Sequence, residues 1–204
     1  MDESVKTINN KTGLLFGSFN PIHTGHLIIA NYFAQYSDIN EVCFVVSPQN
    51  PFKTKTVMLD ETIRYEMVCM AIDGNDKLKA SDIELKMGVP SFTINTLTKL
   101  MEAEPGRDFV LLIGADNLDD FDKWKDYKKI FEIAEVYVYP RPGFKPAKFT
   151  DHPKVKLVSA PQIEISSSFI RKTIENNKDP RYLLPHNVYK FIADNNYYQK
   201  KTGK

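Results

Sequence analysis

Only two cysteines occur in 204 residues, Cys43 and Cys69. Each lies in an apolar run, so a disulfide framework is excluded and both read as buried free thiols. Excess charge of one sign is also lacking: 27 Lys plus Arg against 26 Asp plus Glu leave a formal +1. No global field is therefore available to hold nucleic acid or an anionic membrane, and an anionic ligand must meet a local site. No apolar run approaches the roughly 20 residues of a membrane span. The stretch Met1 to Lys11 has no apolar core of the kind a signal peptide needs, so a cytoplasmic protein is expected. Repeats and low-complexity segments are missing, which excludes solenoids and arrays. Hydrophobic residues at 42% and charged ones at 26% fit a soluble globular chain. The length suits one α/β domain over 1–204, with 1–10 and 198–204 expected to fray.

The most informative stretch is Gly17-Ser18-Phe19-Asn20-Pro21-Ile22-His23-Thr24-Gly25-His26. It follows the apolar run Leu14 to Phe16 and precedes a largely apolar segment, which reads as strand, tight loop, helix. Gly17 permits close backbone approach, Pro21 stiffens the loop, and Thr24 is a candidate helix cap. A helix starting here would turn its free N–H groups and positive dipole end into the loop beside His23 and His26, a corner suited to phosphate. Two other readings stay open: plain turn chemistry, and half of a metal site. A metal needs a third ligand, and the remaining histidines, His152 and His186, lie far along the chain.

Further elements follow in order. Val42 to Val46 has the continuous apolar character of a strand covered on both faces, pointing to a parallel sheet. The Pro-containing stretch Pro48 to Lys55 is loop, with Lys53 able to reach an anion. A helix over Asp60 to Ile72 carries Arg64, a weaker strand runs Leu78 to Glu84, and Ser91 caps a helix holding Ile94, Leu97 and Leu100. Phe109 to Ile113 is the clearest central strand. It ends at Asp116, where ligands bind in open α/β sheets. Trp124 follows, with core packing as its plain role. Glu135 to Tyr139 and Val155 to Val158 complete the strands. Ile165-Ser166-Ser167-Ser168-Phe169-Ile170-Arg171 then combines hydroxyls, a helix start and an arginine, a second candidate anion corner. A last helix begins near Pro185.

These two corners resemble the paired signatures of the nucleotidylyltransferase superfamily, (G/T)xFxPxHxGH and ISSTxIR, the second with serine for threonine at Ser168. Over nearly its whole length the chain is similar to the bacterial nicotinate-nucleotide adenylyltransferases. Ser91-Phe92-Thr93 matches their S-Y-T segment. Ile113, Gly114, Asp116, Leu118 and Trp124 match IGxDxLxxxxxW, and Arg141-Pro142-Gly143 and Tyr182-Leu183-Leu184-Pro185 match RPG and YLLP. One departure is Pro51-Phe52-Lys53, where the family commonly has PPH(K/R), so the loop histidine is missing.

The resemblance implies a single Rossmann-like domain, a mostly parallel sheet with helices on both faces. It also implies attack of the nicotinate mononucleotide 5′-phosphate on the α-phosphorus of ATP, with Mg²⁺ carried on the triphosphate rather than by protein side chains. By family analogy His23, His26 and Arg171 are catalytic. Gly17, Ser18, Phe19, Gly25, Lys53, Asp116, Ser167 and Ser168 meet ATP and its phosphates, while Thr93 and Trp124 meet the mononucleotide. A phosphate monoester with a second pKa of about 6 is already largely ionised at neutral pH. No catalytic base is then required, and the histidines are expected to act as fixed charge stabilisers. Rival readings are a nicotinamide mononucleotide enzyme, a phosphopantetheine or cytidine-nucleotide transferase, and a catalytically silent nucleotide-binding module.

Overall fold

A computed structural model describes residues 10–48 and 58–200. Six strands form one parallel sheet: β1 Lys11–Gly17, β2 Glu41–Val46, β3 Leu78–Ser81, β4 Asp108–Gly114, β5 Glu135–Tyr139 and β6 Val155–Leu157. Their order is β3-β2-β1-β4-β5-β6, every neighbouring pair parallel. The doubly wound α/β architecture expected from the continuous apolar strands is present.

Strand alternation sorts the core into two layers. Leu15, Phe44, Val46, Val110, Leu112 and Tyr137 face one side, against Phe33 of α1 (Thr24–Tyr36), Met67 of α2 (Glu61–Ile72), Ile170 of α7 (Ser167–Glu175) and Val188 of α8 (His186–Asp194). Leu14, Val45, Leu111, Ile113, Val136 and Val138 face the other. They meet Ile94, Leu97 and Leu100 of α4 (Thr93–Ala103), Leu118 of α5 (Ala115–Leu118) and Ile130 of α6 (Tyr127–Ile133).

Local chemistry corrects several sequence expectations. The stretch predicted as one strand over Leu78 to Glu84 breaks after Ser81 and turns into the short helix α3 (Ile83–Met87). Glu84 is its buried residue, and its carboxylate accepts from the hydroxyls of Ser91 at 3.2 Å and Thr96 at 2.8 Å. A polar residue thus points inward because two hydroxyls satisfy it. Ser91 is consequently not the cap of α4; Phe92 holds that position without a side-chain bond. The cysteines are free but only half-buried, with burial pushing the Cys43 thiol up to about 12. Nor does Tyr198 fray: it is 8% exposed, and its hydroxyl donates to Asn20 Oδ1 at 2.7 Å. That buried bond fastens the segment after α8 to the first loop.

Candidate active site

The strand order reverses between β1 and β4, and the segments at the C-terminal ends of those strands converge there, the position where open α/β sheets bind ligands. After β1 the chain makes a tight loop. Phe19 takes a left-handed φ of 44°, a conformation that costs a non-glycine residue free energy. Its ring lies against Gly17, where an added Cβ would come within 2.8 Å of Phe19 Cζ. Gly17 is needed because only hydrogen leaves room for that ring.

His23 caps α1 in extended conformation, and its backbone N–H donates to His26 Nδ1 at 3.2 Å. Accepting at Nδ1 fixes the tautomer of a neutral His26, leaving the proton on Nε2 as a donor. The two imidazoles stack with centroids 3.7 Å apart, and Phe19 meets His26 edge-on at 5.1 Å. Gly25 is fitted to the same stack, since a Cβ there would stand 3.0 Å from His23 Nδ1. His23 is 4% exposed and its Nδ1 has no hydrogen-bond partner.

Burial, reinforced by the nearby Arg141 guanidinium, lowers His23 to about 4. Burial first, then His23 and Arg141, holds His26 well below the ordinary histidine range. Burial therefore favours neutral imidazoles, which act on a charged ligand through N–H donors. At neutral pH the pair is uncharged, and it offers N–H donors rather than cations.

Arg141, which the sequence presents only as part of the matched Arg141-Pro142-Gly143 tripeptide, brings a cation to this corner. It lines a recess with His23, His26, Tyr139 and Ile165, and its guanidinium carbon lies 5.4 Å from the Tyr139 ring centroid. Asp116, near the start of α5, places Oδ1 3.4 Å from Arg141 Nε, and neither atom has a hydrogen-bond partner. Gly114 makes this approach possible, because a Cβ there would fall 2.3 Å from Asp116 Oδ1. The sequence signal for Arg141 was its place just beyond a parallel strand, the same signal that selected Asp116.

The second serine-rich segment closes onto the first loop. Ser166 caps α7 by accepting from the Phe169 N–H at 3.2 Å. Ser167 Oγ donates to the Pro21 carbonyl at 2.8 Å. Arg171 Nη1 donates to the Asn20 carbonyl at 2.7 Å while Nη2 donates to Ser168 Oγ at 3.2 Å. Part of the hydrogen-bonding capacity assigned to anions is thus engaged in tying the two segments together, across 146 to 151 residues of sequence.

On the other flank, Gly17, Ser18, Ser47, Met58, Gly114, Asn117 and Trp124 line a cleft over the strand ends. Trp124 packs on Phe121 with ring centroids 5.0 Å apart, so the plain packing role and a place in the cleft coexist. Thr93 is half-buried at the first turn of α4, whose neighbouring Phe92 ring carries Lys125 Nζ at 4.4 Å. Lys53 lies outside the described residues. Among the described residues there is no group of three or more His, Cys, Asp or Glu side chains able to hold a metal, and no helix long and apolar enough to cross a membrane.

Comparison with known proteins bears on the family and the fold. The family model described as cytidylyltransferase-like matches residues 14–173. The "Probable nicotinate-nucleotide adenylyltransferase" of Christiangramia forsetii is 50% identical over 94% of this chain and 100% of its own length. Its counterpart in Cytophaga hutchinsonii is 47% identical over 92% and 98%. In fold, the chain is similar to the Plasmodium falciparum nicotinic acid mononucleotide adenylyltransferase solved with NaAD. The TM-score is 0.78 at 21% identity, covering 93% of this chain and 97% of that one. With matches this long and both signature segments in one corner, the chain belongs to the cytidylyltransferase-like family, among the nicotinate-nucleotide adenylyltransferases.

Proposed function

We propose that this protein transfers the adenylyl group of ATP to nicotinate mononucleotide, giving nicotinate adenine dinucleotide and pyrophosphate, a step of NAD biosynthesis in the cytoplasm. The observation that carries the proposal is the junction of the two signature segments. Arg171 and Ser167 hold the Asn20 and Pro21 carbonyls beside the stacked His23 and His26, at the switch point of the sheet.

In this reading the mononucleotide phosphate is its own nucleophile, already ionised at neutral pH, and attacks the α-phosphorus as pyrophosphate leaves. His26 Nε2–H and the His23 ring stabilise the α-phosphate as neutral donors, while Arg141 and Arg171 supply positive charge. Gly17, Ser18, Phe19 and Gly25 shape the phosphate loop, with Ser168 and the free N–H groups at the start of α7 on its far side. Lys53, outside the described residues, is assigned a phosphate contact by family analogy alone. ATP arrives as its complex with a divalent cation, Mg²⁺ in this proposal, so the metal is part of the substrate. Asp116 stands toward the ATP ribose, held there by Arg141. Trp124 stacks on the pyridine ring, and Thr93 with the first N–H groups of α4 meets its carboxylate. A carboxylate accepts where a carboxamide would also present N–H groups, so a donor-lined pocket prefers the acid.

The test is a side-by-side kcat/KM measurement with nicotinate and nicotinamide mononucleotides, each with ATP and Mg²⁺, following pyrophosphate and the dinucleotide product. Preference for the acid is expected. Preference for the amide overturns the substrate assignment, and absence of both products overturns the reaction.

A further inference from the structure

Arg64 is the largest fully buried side chain of the described residues, at 0% exposure, and the family signatures do not include it. It projects from the first turn of α2, and its contacts are backbone carbonyls: Nε donates to Leu59 O at 3.0 Å, and Nη1 donates to Ser47 O at 2.8 Å and to Ser18 O. Its Nη2 is buried without a partner, and among the described residues no carboxylate lies within ion-pair distance. A buried, unpaired cation is costly, and breaches of this kind concentrate where function requires them.

The Ser18 carbonyl gives Arg64 its consequence. The Ser18–Phe19 peptide is trans, so its C=O and N–H point in opposite directions. Arg64 holds the carbonyl on the buried side, whereas Ser18 itself lines the cleft. The Phe19 N–H is thereby turned away from Arg64, and among the described residues it meets no acceptor. Phe19 also keeps its left-handed φ of 44°, which the unrestrained chain would leave. Ser47, held by the same nitrogen, donates its own N–H to Gly17 O at 2.9 Å, so one guanidinium fixes the ends of β1 and β2 together.

Resting on the proposed reaction, we infer that Arg64 is a positioning residue: it fixes the Ser18–Phe19 peptide so that the Phe19 N–H stands ready as a donor to a phosphate oxygen of the bound nucleotide. Its buried charge also biases the loop toward an anion from behind. Arg64 touches no substrate.

The test uses the full chain. Arg64→Lys keeps the charge but cannot reach three carbonyls; Arg64→Met keeps the stem alone. Removing one aligned donor from a charge-stabilising site costs about 10²- to 10³-fold in kcat. Misaiming it should cost ~10- to 100-fold in Arg64→Lys, with both KM values within about threefold of wild type. A role confined to stability would lower the urea midpoint and leave kcat of the folded protein unchanged. A second readout needs no turnover. In protein labelled with ¹⁵N-phenylalanine, inorganic pyrophosphate should shift the Phe19 amide resonance in wild type and not in Arg64→Lys.

Turnover of a folded Arg64→Lys within twofold of wild type overturns the inference, as does a wild-type Phe19 amide that pyrophosphate leaves unmoved. Should both variants fail to fold, an ester in place of the Ser18–Phe19 amide decides. Its kcat should fall at least tenfold, and wild-type turnover there overturns the inference. Inactive wild type with a shifting Phe19 amide would instead count against the proposed reaction alone.

Discussion

Acidification should destabilise this protein through the histidine stack before most carboxylates titrate. His23 has an ordinary value near 6.5 in the unfolded chain and about 4 when folded. The unfolded state therefore binds more protons between these values, so stability rises with pH across that window and is lost as pH falls from 6.5 toward 4. For a single group with those two values, going from pH 7 to pH 5 removes about 2 kcal/mol. His26 is shifted in the same direction and adds to the loss. The magnitude reflects a ring that is 4% exposed and faces Arg141, whose charge opposes a second one. Urea unfolding at pH 7 and pH 5, in wild type and in His23→Gln, isolates the effect. The glutamine cannot titrate, so its drop should be smaller than wild type's by about 2 kcal/mol. Equal drops in the two proteins, or a wild type equally stable at both pH values, would refute the reasoning.

Two further outcomes are expected. His26→Ala should lower kcat by about a hundredfold or more, corresponding to roughly 2.7 to 4 kcal/mol, with little change in ATP affinity by titration; wild-type turnover removes His26 from the mechanism. Tyr198→Phe strips the buried hydroxyl from Asn20 Oδ1 and should cost about 1 to 2 kcal/mol in a urea melt, whereas unchanged stability would mean the tail is not fastened there.

Much of the fold was legible because its signals are local. A strand buried on both faces must be apolar at every position, as in Val42 to Val46 and Phe109 to Ile113, and helices covering it show the 3.6-residue stripe of Ile94, Leu97 and Leu100. Glu84 and Ser91 misled for the complementary reason. Their pairing with each other and with Thr96 depends on a turn that neither residue announces. Arg64 reads as one more charged residue on a helix, because the carbonyls that bind it belong to Ser18, Ser47 and Leu59 on other elements.

By itself the sequence determined the chemistry at hand: an α/β sheet, two phosphate-type corners, and histidines, arginines and hydroxyls without a nucleophile and base. Those are properties of residue type and near-neighbour spacing. Tertiary structure decided how the groups act. It brought Ser167 and Arg171 onto the Asn20–Pro21 carbonyls and set Arg141 beside the histidines. It also enclosed those imidazoles until the neutral form prevailed. Protonation state and hydrogen-bond partner are set by burial and by groups more than a hundred residues away in sequence, and only the folded chain contains that information.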